Sequence, residues 1–453
     1  MPKICCAAIF ACAPLAALAA APDVAKLGGD ELTCMGALRA GTESGVAPYA
    51  GQWLGSWPGL KETQGYDPGP YASEQPLFTI TAANSAQYAM HLTEGQKALF
   101  KKYPQAFRMP VFPSHRDFRP ADWVCDAVKK NAQSAELASG GRGTRQILGA
   151  IPFPFPAGGL EALFNVKRAG GGLWSEQVVH TSAAVFANGA RSWGKVRLQV
   201  LVPWNKPERQ GHALAQDEPV EVYFSYEQIL PERDKGTVSV GNTPNDYGAG
   251  ATRAWVFQPG LRRVRQVEEV PPDYPVPPAG FHTVDDEALF NGSPDRFTWK
   301  LVGRQEVYVP YDNFLLNDPA LRYKDLLGDA TLAPEHERYE LHRVWVIEGN
   351  LRAGLRHVYG RRVLYADEDT WNALWADNYD TRGELWRTAF SNYFYVPAAQ
   401  SFHRGVTVYH DLLAGGYEAE YLVNESGKDW WRFNDSRLTP QMFTPDALAR
   451  RAH

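Results

Sequence analysis

The chain has 453 residues, with 46 Lys+Arg against 51 Asp+Glu, and a formal net charge of −5. Hydrophobic residues make up 44% and charged residues 21%, which excludes a wholly disordered, collagen-like or coiled-coil chain. The mild acidity argues against a nucleic-acid binder, and a length of about three ordinary domains still fits one large sheet.

The first residues read as a secretory signal peptide. Met1-Pro2-Lys3 give a short positive start, residues 4–13 are apolar and uncharged, and residues 15–21 are small and apolar. Ala17-Leu18-Ala19 fits the small-x-small rule and places cleavage after Ala19, so residues 1–19 are the signal. A membrane anchor is the competing reading, but Pro14 interrupts the run and Asp23 ends it near the lower limit for a span. Lipidation at Cys12 is a further alternative, although Cys12 comes early for a lipoprotein signal. The mature chain keeps two cysteines, Cys34 and Cys125. In an oxidising compartment they suggest one disulfide, with two buried free thiols as the alternative. Localisation in the periplasm follows, with association to the outer membrane left open.

Residues 20–175 are Gly/Pro-rich with short helices. Trp53, Trp57, Tyr66 and Tyr71 lie among turns and need a larger body to bury their rings. Thr93 and Gln96 form a capping box for a helix that stops at Tyr103, before Pro104. Pro120 opens a second helix carrying Trp123, Val124, Ala127 and Val128. Three prolines in residues 151–156 exclude helix or central strand there, and residues 160–166 read as a third short helix.

Residues 176–453 alternate as strands. Asn188-Gly189 is a hairpin turn, and strands are predicted at 196–202, 220–226, 254–257 and 262–267. More follow around Phe297, Trp299 and Leu301, from Tyr339 to Ile347, and at 358–365, 371–376 and 384–394. Short turns between consecutive strands require antiparallel pairing. Thr444 and Pro445 begin a C-terminal helix. The predicted fold is α+β: a large antiparallel sheet, one face apolar and the other polar, curled into a trough, with the N-terminal part packed on it. Residues 20–453 are expected to form one compact unit.

No hydrolase, zinc-protease, P-loop or dinucleotide motif is present, so no catalytic residue, cofactor or metal is assigned. Glu340 and His342 share a strand face, read as an exposed polar surface, with a metal or acid–base site as the sharper alternative. The acidic set Asp367, Glu368, Asp369, Asp377, Asp380 and Glu384 reads as turn carboxylates, with calcium as the sharper alternative. Arg352, Arg356, Arg361 and Arg362 are read as cross-strand ion-pair partners on the solvated sheet face. The excess is aromatic: 14 Trp, 21 Tyr and 21 Phe. Trp255, Phe257, Trp299, Trp345 and Trp375 lie on strands where alternation gathers large rings on one face, and they are predicted to line an apolar cavity. Arg343 and Arg265 are placed at its mouth, to hold an anionic head group. The bland alternative is that the rings fill a closed core.

Several segments carry a family resemblance. The run Asp23-Val24-Ala25-Lys26-Leu27-Gly28-Gly29, with Leu32-Thr33 and Gly36-Ala37, resembles the mature start of a proteobacterial domain-of-unknown-function family. Members of that family resemble outer-membrane lipoprotein-sorting proteins. Further matches are Lys97-Ala98-Leu99 with Tyr103-Pro104, Met109-Pro110-Val111, Gly159-Leu160-Glu161-Ala162, and Ala254-Trp255 with Arg262-Arg263-Val264-Arg265. Phe290-Asn291-Gly292, Tyr339-Glu340-Leu341-His342-Arg343-Val344-Trp345 and Gly383-Glu384-Leu385-Trp386-Arg387 complete a match over nearly the whole mature chain. Cys34 and Cys125 stand outside the pattern. The resemblance implies a LolA/LolB-like half-barrel that holds an acyl chain. It also implies an envelope carrier for a lipid or other lipophilic molecule, acting in lipid trafficking or efflux. An outer-membrane channel-like protein and an inner-membrane lipid-type efflux permease are the implied partners. The alternatives are a hydrolase or lyase on a hydrophobic substrate, and a non-catalytic envelope interaction module.

Overall fold

The computed structural model describes residues 24–212, 219–267, 270–427 and 429–450. The predicted signal peptide lies outside the described residues.

The N-terminal part contributes β1 (Phe78–Ile80), α1 (Glu94–Lys102), β2 (Met109–Val111), α2 (Asp122–Ser134), the small hairpin of β3 (Glu136–Ala138) and β4 (Gly143–Arg145), and α3 (Gly159–Lys167). The predicted capping box is formed: Thr93 accepts from the Gln96 backbone and Gln96 accepts from the Thr93 backbone. Strands β5 (Ser175–Val185), β6 (Arg191–Leu201), β7 (Val220–Leu230), β8 (Val238–Pro244), β9 (Arg253–Gln258) and β10 (Arg263–Val267) follow as a meander. Gly189, at a φ of +80°, supplies the positive dihedral that the turn between β5 and β6 requires. Residues 270–296 form an irregular strap. The second run is β11 (Phe297–Pro310), the short helix α4 (Tyr323–Leu326), β12 (Tyr339–Leu351), β13 (Tyr359–Asp367), β14 (Ala373–Asp380), β15 (Leu385–Val396), β16 (Ser401–Asp411) and β17 (Gly416–Leu422). β18 (Arg432–Phe433) and α5 (Pro445–Arg450) end the chain.

All strands except β3 and β4 join one open 16-stranded sheet, ordered β1-β2-β12-β13-β14-β15-β16-β17-β5-β6-β7-β8-β9-β10 along its main path. β11 pairs with β12 and β18 with β5. Every pairing is antiparallel except one short parallel contact between β2 and β12. The two runs meet where β17 pairs with β5, Tyr417 opposite Val185 and Ala419 opposite Ala183. The predicted α+β curled antiparallel sheet is therefore the observed architecture. β1 and β2 of the N-terminal part extend the sheet, while residues of α1 pack on one face and residues of α2 and α3 on the other.

One core gathers Leu99, Phe100, Phe107 and Met109 with Val346, Tyr365, Trp375, Phe390 and Val408 on one face. A second core sets α2 and α3 against Trp299, Ile347, Leu364, Ala366 and Ala376 on the other. Here the sequence expectation needs correction. No clean apolar-in, polar-out alternation exists in β13 to β16, because both faces are covered and almost every residue is buried. Glu340 and His342 are fully buried and hydrogen-bonded to each other at 3.1 Å, rather than exposed. Arg362 is likewise buried, on Asp285 and Asp286 of the strap at 2.7 and 2.6 Å, while Arg361 pairs with Glu348. Asp367 and Asp377 are buried too, not solvated turn carboxylates. Cys34 and Cys125 form the disulfide, tying the N-terminal segment to α2 across 91 positions.

Candidate functional site

A cavity of about 1420 Å³ lies under the strap on the face of the sheet that carries Arg362 and Tyr409. The pairing register explains its walls. Glu176 faces Val200, Val200 faces Phe224, Phe224 faces Gly241 and Gly241 faces Ala254, so one row across β5 to β9 shares one face. The next rows add His180, Val196 and Tyr226. Gly241 is required in that row, because a Cβ there would lie 2.5 Å from the Phe224 ring. The strap closes the cavity with Val276, Pro277, Val284 and Ala288, and the end of α3 adds Val166 and Lys167.

The end of the cavity nearest the β5–β17 junction is polar. Glu176, His180, Glu287, Arg404, Glu420 and Tyr421 line it. Arg404 ion-pairs with Glu287, donates to the Tyr421 hydroxyl at 2.8 Å and lies over the Tyr421 ring at 4.4 Å. The bulge that interrupts the pairing of β17 with β5 includes Tyr421, whose φ of +60° is unusual for a bulky residue. Its ring stacks on His180 at 4.4 Å. Burial pushes His180 down to about 4, so its imidazole is neutral near pH 7. Burial opposes ionisation of Glu176, but His403, the Trp431 indole N–H and Arg404 outweigh it and hold the carboxyl below its usual range. Burial likewise opposes the Glu287 charge, and Arg404 outweighs it. Burial raises Glu420 to about 7, helped by Glu287 and Glu418 and opposed by His282. The cavity therefore offers aliphatic and aromatic walls and one end of fixed charges, the chemistry of a site for an amphipathic molecule.

The ring expectation fails in its placement. Trp255 and Phe257 do share a face of β9, but it is the opposite one: Phe257 packs with Val238, Val240 and Leu448 of α5, and Trp255 lies against that cluster. Trp299 packs in the second core beside α3, its indole N–H donating to the Pro294 carbonyl at 3.0 Å. Trp345 stacks on Trp371 at 5.6 Å under the Arg304 guanidinium. Trp375 is fully buried in the first core, stacked on Phe390 at 4.8 Å and hydrogen-bonded to Asp377 and Thr388. None of the five borders the cavity. Arg343 is buried against Glu368 and the carbonyls of Leu38 and Ala40, where it anchors the N-terminal segment. Arg265 is exposed on the edge strand β10. Both arginines are away from the cavity wall.

Among the described residues, two buried clusters combine donor types that bind metals. His282, Glu418 and Glu420 bring one ligand atom each to within 4.8 Å of one another, as do His342, Asp367 and Asp369. In the second set Asp369 is taken up by a two-pronged ion pair with Arg116, and Asp367 accepts from Thr370 and Tyr311. A smaller cleft of about 440 Å³ has the buried Asp312, Glu337 and Arg338 in its lining. Burial, then the neighbouring Glu340, pushes the Asp312 carboxyl well above its usual range.

Structure and site thus define an α+β protein whose open, curled antiparallel sheet encloses an amphipathic cavity. The chain belongs to the family described as "Protein of unknown function (DUF1329)", whose profile matches residues 79–449. The resemblance carried by its sequence motifs is thereby shown. It is 37% identical over 441 residues to the uncharacterized protein PA3922 of Pseudomonas aeruginosa, across 95% of this chain and 94% of that one. Among solved structures it is similar to a DUF1329 family protein from Desulfovibrio piger, at 14% identity and a TM-score of 0.41, over 61% of this chain and 92% of that one. It is also similar to a LolA superfamily protein from Nitrosomonas europaea, at 13% identity and a TM-score of 0.36, over 62% and 96% of the two chains.

Proposed function

We propose that this protein binds and carries a lipid or other lipophilic molecule with a polar head group, in the cell envelope after export. The observation that carries the reading is the cavity. At about 1420 Å³ it exceeds the roughly 300–1,000 Å³ typical of small-molecule sites, and its walls are mainly apolar. Burying ten methylenes there releases roughly 8 kcal/mol before ordering costs, at about 0.8 kcal/mol each. The charged end gives a head group hydrogen-bonding partners that a purely apolar pocket lacks. The Cys34–Cys125 disulfide supports an oxidising compartment, in keeping with the signal-like start of the sequence. An outer-membrane channel-like protein and an inner-membrane efflux permease are proposed as partners only through the sequence resemblance.

The test is mass spectrometry of small molecules extracted from the purified mature protein, beside displacement of a fluorescent fatty acid. A co-purifying lipid and stoichiometric displacement support the carrier. A parent protein that binds no acyl probe and yields no extract refutes it. Turnover of an ester or glycolipid, abolished by His180→Gln, favours the hydrolase reading instead.

A further inference from the structure

We propose that His282, Glu418 and Glu420 form a binding site for a divalent transition-metal cation, opening on the cavity. The proposal revises the sequence expectation of no metal, and it stands apart from the carrier reading.

His282 belongs to the strap, and Glu418 and Glu420 project from the same face of β17, two positions apart. The His282 Nδ1 lies 3.5 Å from a Glu418 oxygen and its Nε2 lies 3.8 Å from a Glu420 oxygen, both too long for good hydrogen bonds. Glu418 has no solvent exposure and His282 only 1%. Neither Glu418 oxygen has a hydrogen-bond partner among the described residues, and neither does His282 Nδ1. A buried carboxylate with only the long 3.5 Å approach of His282 beside it is costly, so these lone pairs point to a ligand. The imidazole is clamped flat on Tyr409 at 4.1 Å, and the Tyr409 hydroxyl reaches back to the Asp286 carbonyl of the strap at 3.4 Å. The cluster is therefore built by packing around it rather than gathered loosely at a surface.

One imidazole nitrogen and two carboxylate oxygens suit zinc or manganese. Calcium is disfavoured, because it takes six to eight oxygens. Ligands around zinc sit at about 2.0–2.2 Å, so donors now within 4.8 Å of one another need only a modest inward shift. On binding, a 2+ ion would displace the protons held in the cluster and balance two carboxylates beside a neutral imidazole. Three protein ligands leave a position free, and Glu420, which lines the cavity, sets that position toward the bound molecule or water. The rival arrangement is an imidazolium held between two carboxylates with no metal. Among the described residues both cysteines, Cys34 and Cys125, are tied in the disulfide, so no thiol there competes.

The experiment uses the full mature protein, stripped with chelator and titrated with Zn²⁺ alone by calorimetry, with metal content measured after dialysis. One Zn²⁺ per chain and a raised melting temperature are expected. Glu418→Gln, Glu420→Gln and His282→Gln should each weaken binding at least tenfold, while circular dichroism and the melting temperature in chelator stay close to the parent's. Asp367→Asn, at the other cluster, should leave binding unchanged. If His282→Gln fails to fold, Glu420→Gln on the cavity wall decides. X-ray absorption of the zinc-loaded parent should show nitrogen and oxygen neighbours with an imidazole signature. Absence of saturable binding in the parent overturns the proposal. So does binding that survives all three substitutions, loss in Asp367→Asn alone, or a first shell containing sulfur.

Discussion

Replacing Phe224 and Trp375 by alanine, each alone, separates a cavity wall from a closed core. Trp375 has no exposure, stacks on Phe390 and donates its indole N–H to Asp377 and Thr388. Its loss should cost about 3–5 kcal/mol, and leaving the Asp377 and Thr388 acceptors short of a donor keeps it at the upper end. Phe224 is half-buried, lies across Gly241 and borders empty volume, so its truncation should cost only about 1–2 kcal/mol. The Phe224 ring covers two or three methylenes of an acyl chain; at about 0.8 kcal/mol each that is about 2 kcal/mol, or roughly 30-fold in affinity. Urea unfolding and displacement of a fluorescent fatty acid, run on the same preparations, measure both quantities. Folded Trp375→Ala should keep near-parental affinity. A Phe224→Ala variant that unfolds as readily as Trp375→Ala and binds like the parent would refute the assignment of the cavity wall.

Other outcomes follow from buried groups. Burial pushes His410 down to about 3, so the unfolded chain takes up a proton below about pH 6.5 that the folded chain refuses. Its contribution is intact above that pH and fades as pH falls toward 3, at about 1.4 kcal/mol per unit; His410→Phe should be about 2–3 kcal/mol more stable than the parent at about pH 4.5, relative to their difference at pH 7, by denaturant unfolding. Burial pushes Glu337 up to about 8, a raised folded-state value, so stability is fully present below about pH 4.5 and lost as pH rises toward 8. Glu337→Gln, which keeps an acceptor for the Tyr339 hydroxyl, should flatten that loss by about 3–5 kcal/mol near pH 8. Replacing both Cys34 and Cys125 by serine should cost about 4–5 kcal/mol, since their bond closes a loop across 91 positions; equal unfolding midpoints for parent and variant would contradict it.

What could be read from the sequence was local. The capping box at Thr93, the Asn188-Gly189 turn and most strand centres needed only neighbours a few positions apart. Alternation also placed Trp255 and Phe257 on one face correctly, but a period of two says that residues share a face, not which face meets the cavity. That choice was made by α5 and the strap, which cover opposite sides. Strands β16 and β17 escaped notice because Arg404, His410, Glu418 and Glu420, buried or half-buried polar residues, break the apolar pattern. The charged end of the cavity had no local signal at all: Glu176 and His180 lie far in sequence from Arg404 and Glu420, and only the pairing of β17 with β5 unites them.

That junction also sets an order of assembly. Each run of the sheet is a series of neighbouring hairpins, which close small loops and form early, whereas β5 and β17 meet only after the long loop that holds β6 to β16 has been closed. The charges of Glu176, Arg404 and Glu420 stay hydrated until then, and their dehydration falls at the slowest contact. A chain held before this step presents two unfinished sheet edges and an unroofed apolar face, the state most exposed to self-association during folding.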